Sequence, residues 1–310
     1  MVRRIAHASR RGTFLIAALL FVACAKPYFS VDDAVRFENG QTRMVAFAQD
    51  KTGWRLKGVS DVEVRFLIDG REVSSAVTDD RGFAKSIVDV DEPTDRFEAA
   101  ADFQDESFRS EGRVFAWRSD RVIVGCDIDS TVSDTSLGAL FFDEFDMTST
   151  PIEGSPEILK ELSQDYHVLY VTARPRFALP KTQRWLEEHG YPREPVVTSL
   201  TVSDAIEQTK YKTRTLRSLR KHYTNMLIGI GNTDIDARSY GAHGMLILLV
   251  QPEREVSREG NIFRFQSWAQ IGTFFRENRD VLRDQSRLRA AIQGEETLRL
   301  PSPEASVGSP

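Results

Sequence analysis

Asp127 and Asp129 flank Ile128 directly after the apolar run Val122-Ile-Val-Gly-Cys126. Residues two apart on an extended chain project to the same side, so these carboxylates repel one another unless a cation or a division of labour separates them. A hard divalent ion with oxygen ligands resolves that conflict, and Mg2+ is the usual one. Ser130 and Thr131 follow with two hydroxyls. A second apolar run, Leu169-Tyr-Val171, ends in Thr172-Ala-Arg174-Pro175, a hydroxyl and a guanidinium suited to phosphoryl oxygens. Lys212 lies in a helical stretch and adds positive charge, with Lys210 as the rival for that role. After a third apolar run, Gly231-Asn232-Thr-Asp234-Ile-Asp236 offers further oxygen ligands. Taken singly, Asp236 reads equally well as a helix cap, so the argument rests on the set.

The elements that must position this set follow from hydrophobic period. From residue 121 apolar runs (121–126, 167–171, 196–198, 226–230, 245–250) alternate with helical patterns (155–164, 177–189, 204–221). That order predicts an α/β domain, a parallel sheet with helices on both faces, whose ligands sit at the carboxyl ends of the strands. Residues 30–119 instead show period-2 alternation, as in Val62, Val64, Phe66 and Ile68, with a hairpin turn at Asp69-Gly70, which predicts an all-β sandwich. Strands are also expected at 41–49, 83–90, 96–103 and 112–118. Residues 266–293 read as one charged amphipathic helix and the end of the chain as a disordered tail. The resulting division is 1–23 leader, 30–119 sandwich, 120–275 α/β domain and 276–310 helix and tail.

The spaced motifs Asp-x-Asp-x-Thr, strand-end Thr, Lys and Gly-Asn-x-x-x-Asp, in this order over 121–251, resemble the haloacid dehalogenase (HAD) superfamily of phosphotransferases. The likeness implies a HAD-like Rossmannoid sheet. Position by position it makes Asp127 the nucleophile and a metal ligand. Asp129 becomes acid/base and a ligand through its carbonyl, Thr172 the phosphoryl holder, Lys212 the charge partner, and Asn232 and Asp236 the rest of the Mg2+ site. Ser130, Thr131 and Arg174 are placed as substrate-binding. Within the superfamily, Leu169–Pro175, Tyr211-Lys212 with Leu216, and Gly231-Asn232 with Asp236 and Tyr240 look most like lipins and related phosphatidate phosphatases, with Ser130 where lipins usually carry Gly. This implies Mg2+-dependent release of phosphate from phosphatidic acid. The alternatives are a phosphatidic-acid-binding module without turnover and a phosphatase for a soluble nucleotide or sugar phosphate. Val132–Glu153, with Phe141, Phe142 and Phe145, is too short for a large cap domain. The segment Gly58–Phe66 with Thr78–Ala84 resembles bacterial immunoglobulin-like domains.

The chain of 310 residues has 41 basic and 46 acidic side chains, a formal charge of -5, which argues against a nonspecific nucleic-acid binder. Arg3, Arg4, Arg10 and Arg11 precede the apolar run 13–23, the pattern of an export signal, and a run that short does not span a bilayer. Phe21-Val-Ala-Cys24 resembles a bacterial lipobox, which implies acylation of Cys24 and a lipid-anchored protein of the cell envelope, on the periplasmic side and at the outer membrane in a diderm cell. With Cys24 acylated, Cys126 has no disulfide partner, and its apolar strand predicts that it is buried.

Overall fold

The computed structural model describes residues 25–52, 55–90, 94–134, 149–199 and 208–301. The leader with Cys24, the aromatic residues Phe141, Phe142 and Phe145, and the tail from 302 lie outside the described residues. Among the described residues no helix is long and apolar enough to cross a membrane.

The first domain is all-β: β1 (Lys26–Val31), β2 (Ala34–Phe37), β3 (Gln41–Thr52), β4 (Arg55–Gly58), β5 (Glu63–Ile68), β6 (Arg71–Val77), β7 (Phe83–Asp89), β8 (Arg96–Phe103) and β9 (Glu106–Trp117). β3 pairs with β1, β2, β4 and β7, while β5 lies between β6 and β8. β9 joins the two halves: its first eight residues, Glu106 to Arg113, pair antiparallel with β8, and its last four run parallel to β2. The alternation in β5 is the reason for its place, since Val64 and Phe66 are buried while Glu63 and Arg65 are exposed. Those two side chains pack with Met44, Ala46 and Ala48 of β3 and with Phe97, Ala99 and Ala101 of β8. Asp69 and Gly70 both take positive φ, 50° and 75°, the conformation a two-residue hairpin turn of this kind needs.

The second domain contains β10 (Ile123–Cys126), α1 (Ser155–Asp165), β11 (His167–Pro175), α2 (Leu179–Glu188), β12 (Val196–Ser199), α3 (Gln208–Arg220), β13 (Met226–Gly231), α4 (Asp234–Gly241), β14 (Leu246–Val250), β15 (Ser257–Glu259), β16 (Ile262–Phe265), α5 (Trp268–Glu277), α6 (Arg279–Arg283) and α7 (Gln285–Gln293). The sheet order is β12-β11-β10-β13-β14-β16-β15. It is parallel except at its β15–β16 edge, a hairpin that the sequence pattern does not predict. Successive residues of one strand enter different cores. Val168 and Tyr170 pack with α1, α2 and α5, whereas Leu169 and Val171 pack with α3 and α4. Burial on both faces explains why these strands read as continuous apolar runs. Cys126 is fully buried.

The stretch read as one helix over 266–293 is three. Asn278 ends α5 and turns its side-chain amide onto the carbonyls of Phe274 and Arg299, and Asp284 caps α7 by accepting from the Ser286 and Arg287 amides. Short polar side chains that bind backbone favour such breaks over helix interiors. Val281, Leu282 and Leu288 belong to the same core as β10 and α1, which draws these helices into the α/β domain.

Candidate active site

β10 is the switch point of the sheet, with the chain passing to β11 on one side and returning to β13 on the other. The crevice beyond the carboxyl ends of these strands is where such sheets bind ligands. Asp127 leaves β10 with its amide donating to the Ile230 carbonyl, which ties the first carboxylate to β13. The amides of Thr131, Val132 and Ser133 then all point to the Ile128 carbonyl, a tight turn that requires Ser130 at φ 57°. Trp268 secures the turn from α5 by donating its indole N–H to the Thr131 carbonyl at 2.8 Å.

Lys212, on α3, carries its ammonium into the crevice at 2.8 Å from Asp127 Oδ1 and 2.5 Å from Asp236 Oδ1. All three side chains are buried. Lys210 is exposed, so the geometry separates the two lysines. The adjacent Tyr211 donates its hydroxyl to the Thr172 carbonyl at 3.2 Å, linking α3 to β11. Burial pushes the Asp127 carboxyl up to about 7, with Lys212 opposing and Asp236 and Asp129 reinforcing the shift. Burial acts the same way on Asp236, but Lys212 and Thr233 outweigh it and hold that carboxyl below its ordinary value. Lys212 is raised, because its two carboxylates more than offset burial.

Asp236 is both a cluster member and a cap. Its Oδ2 accepts from the Thr233 amide at 3.0 Å, while Thr233 Oγ1 accepts from the Asp236 amide at 3.2 Å, a reciprocal box at the start of α4. A Cβ on Gly231 would lie 2.5 Å from Asp236 Cβ, so only glycine lets the strand pass this close to the carboxylate. Asn232 turns its amide oxygen to Thr131 Oγ1 at 3.3 Å, and Gln251 holds the Asn232 carbonyl at 2.9 Å. The same Thr131 hydroxyl faces Asp127 Oδ2 at 3.2 Å. Asp234 is exposed and outside the cluster.

Asp129 forms a second group. Its Oδ2 accepts from the Thr172 hydroxyl at 2.9 Å, and its Oδ1 from Arg174 Nε at 2.9 Å and Nη2 at 2.8 Å. Arg174 is fully buried, and its guanidinium also reaches Thr182 and Ser133, both at 3.3 Å. The residue types assign this guanidinium to a substrate, whereas the structure turns it onto Asp129. Thr131, Lys212, Asn232 and Asp236 converge with Asp127, Thr172 joins Asp129 instead, and Ser130 shapes the turn. Sequence reasoning did not single out Ser133, Thr182, Thr233, Gln251 or Trp268. Only the capping spacing of Thr233 and Asp236 was visible as a signal. Among the described residues no histidine is seen to join the cluster: His167 accepts from the Arg118 amide, and His189 and His243 contact backbone carbonyls.

No curated protein matches the chain. Among solved structures, the D0-D1 domain of intimin is 24% identical over 30% of this chain and 49% of that one, with a TM-score of 0.21. The M1 domain of titin is 14% identical over 29% of this chain and 94% of that one, with a TM-score of 0.22. The core domain of a phosphoglycolate phosphatase from Streptococcus pneumoniae TIGR4 is 16% identical over 50% of this chain and 96% of that one, with a TM-score of 0.33. Residues 124–247, which hold the whole Asp127–Lys212–Asp236 cluster and the Asp129–Arg174 pair, match the family described as PITM 1-3, LNS2 domain.

Proposed function

We propose that the chain is a Mg2+-dependent phosphomonoester hydrolase with Asp127 as nucleophile, acting on phosphatidic acid or a related lipid phosphate. The observation that carries this reading is the Lys212 ammonium buried between Asp127 and Asp236 at the carboxyl edge of the parallel sheet. Buried ion pairs of this kind are weak stabilisers compared with a well-packed apolar set, so a chemical use accounts for them better than stability does. The LNS2 match and the lipin-like motifs over the same residues support a lipid phosphate.

The donors suit Mg2+. Asp127, Asp236 and Asn232 present only oxygens, and the Asp129 carbonyl completes the set by the family likeness. Thr131 has one hydroxyl proton for two acceptors, Asp127 Oδ2 and Asn232 Oδ1, which leaves one oxygen for a cation. Among the described residues no three His, Cys, Asp or Glu side chains group for a metal, so the amide and the main-chain carbonyl have to contribute. When bound, Mg2+ supplies positive charge against the phosphoryl oxygens.

Asp127 attacks phosphorus in line, forming a P–O bond as the bond to the leaving alkoxide breaks, and Asp129, entering this step protonated on Oδ2, gives that alkoxide its proton. Thr172 turns its hydroxyl from Asp129 Oδ2 to donate a hydrogen bond to a phosphoryl oxygen, which frees Oδ2 to carry the acid proton toward the leaving group. Asp129 then takes a proton from the water that attacks phosphorus, and orthophosphate leaves Asp127. Lys212 balances the carboxylates throughout. An acyl anchor on Cys24 holds the site near a membrane.

One observation favours a second reading, a phosphatidic-acid-binding module without turnover: both oxygens of Asp129 are already engaged. Phosphate release from phosphatidic acid micelles, beside p-nitrophenyl phosphate and nucleotides, decides between them. The expected result is release from the lipid that EDTA stops and Mg2+ restores, reduced about 1,000-fold or more in Asp127→Asn with the melting temperature retained. Wild-type rates in Asp127→Asn end the nucleophile assignment. Vesicle binding without release establishes the binding module, and release from nucleotides alone moves the substrate.

A further inference from the structure

The face that the first domain turns toward the second carries more positive charge than its neighbours balance. β3 and β7 pair Val45 with Lys85 and Arg43 with Ile87, which makes Arg43 and Lys85 diagonal neighbours on one side of the sheet. From the second domain Arg176, 1% exposed, lies over the Phe47 ring at 3.4 Å from its centroid and ion-pairs with Asp32 at 2.7 Å. These side chains line a cavity of about 150 Å3 between the domains, together with Arg81, Thr198 and Tyr211.

Four cationic side chains, those of Arg43, Arg81, Lys85 and Arg176, meet two carboxylates there. Both carboxylates are engaged. Asp32 pairs with Arg176, and Asp33 accepts from the Arg113 amide at 3.2 Å and from Gln183 at 2.8 Å. Arg81 has Asp79 at 3.5 Å. Arg43 and Lys85 form no ion pair among the described residues. Two buried polar atoms add to this: Arg176 Nε and Thr198 Oγ1 have no hydrogen-bond partner among the described residues. Buried polar atoms of this kind are ordinarily paired, and here both belong to side chains that line one cavity.

We infer that the interdomain cavity binds a phosphate-class oxyanion, at a site separate from the Asp127–Lys212–Asp236 cluster. The unpaired groups are NH and OH donors with a charge excess that suits a dianion, and the cavity is smaller than the roughly 300–1,000 Å3 that drug-sized ligands occupy. The two sites meet at Tyr211, which lines the cavity and donates to the Thr172 carbonyl.

The experiment titrates the full chain calorimetrically with inorganic phosphate and, separately, measures flotation with phosphatidylcholine vesicles containing phosphatidic acid. Each is repeated with Arg43→Ala/Lys85→Ala and with Lys85→Glu, an exposed substitution that does not challenge folding. Two phosphate-binding events are expected in the wild type, one of them weakened at least ten-fold by either variant, while turnover is retained. A single event that the variants abolish still supports the cavity and counts against the phosphatase reading. Loss of vesicle binding alone in the variants assigns the oxyanion to a lipid headgroup, and loss of soluble phosphate alone assigns it to the free ion. Unchanged phosphate binding and unchanged flotation in both variants overturn the inference.

Discussion

Arg174 donates from Nε at 2.9 Å and from Nη2 at 2.8 Å to the same oxygen of Asp129, and both side chains are buried. The pair gives the second carboxylate a cation of its own, separate from the Lys212 that serves Asp127, and so divides the roles of two acids that the sequence places side by side. Removing one partner leaves a buried charge without its counterion. Arg174→Ala is expected to cost about 3–5 kcal/mol in urea unfolding, and Arg174→Ala/Asp129→Asn to recover most of that loss. Strictly additive losses in the double-mutant cycle would show that the two residues do not depend on one another.

Lys212→Met should act on stability and chemistry together. It leaves Asp127 and Asp236 buried without their shared cation, at a cost of about 3–5 kcal/mol measured in EDTA. If these carboxylates also bind Mg2+, added Mg2+ raises the melting temperature of the variant more than that of the wild type. An equal rise in both proteins argues against a shared site.

Ser130 holds φ 57°, a conformation that costs an ordinary L-residue about 1–2 kcal/mol and glycine almost nothing. Ser130→Gly is therefore expected to stabilise the chain by about 0.5–1 kcal/mol, once the greater freedom of glycine in the unfolded chain is subtracted. Denaturant midpoints test this, and a loss of stability would mean that the serine side chain matters more than its backbone.

Glu194 couples domain docking to pH. Burial raises its carboxyl to about 7 against the pull of its hydrogen bond from Trp117 and of Arg121. A raised folded-state pKa means that its contribution is fully present below about 4.5 and lost as pH rises through about 7. Glu194→Gln, which retains an acceptor for the indole, should match the wild type at pH 4 and exceed it by about 2 kcal/mol at pH 8. A difference between the two proteins that does not vary with pH refutes the assignment.

His167 works in the opposite direction. Burial first, then Arg121, lowers it to about 4, and its Nε2 accepts from the Arg118 amide while the ring stacks on Trp117. Its contribution is present above about 6.5 and fades as pH falls through about 4. His167→Gln should narrow the acid limb of the stability profile, and an unchanged acid limb would place that limb elsewhere.

By itself the sequence determined the two kinds of layer and the residues at the strand ends. Val64 and Phe66 alternate with charged neighbours because one face of β5 is wet, and Leu169–Val171 do not because both faces of β11 are covered. The order of Asp127, Thr172, Lys212 and Asp236 was equally legible, since each follows or faces a strand that period alone identifies. Tertiary structure decided what those residues do to one another. The spacing of Lys212 to Leu216 already favoured that lysine over Lys210, but no pattern in the chain turns Arg174 onto Asp129 or brings Arg43 and Lys85 opposite Arg176, because these relations join residues far apart in sequence and depend on which face of a helix or sheet is buried. Local propensity sets elements, whereas charge pairing at a distance is settled only when the elements pack.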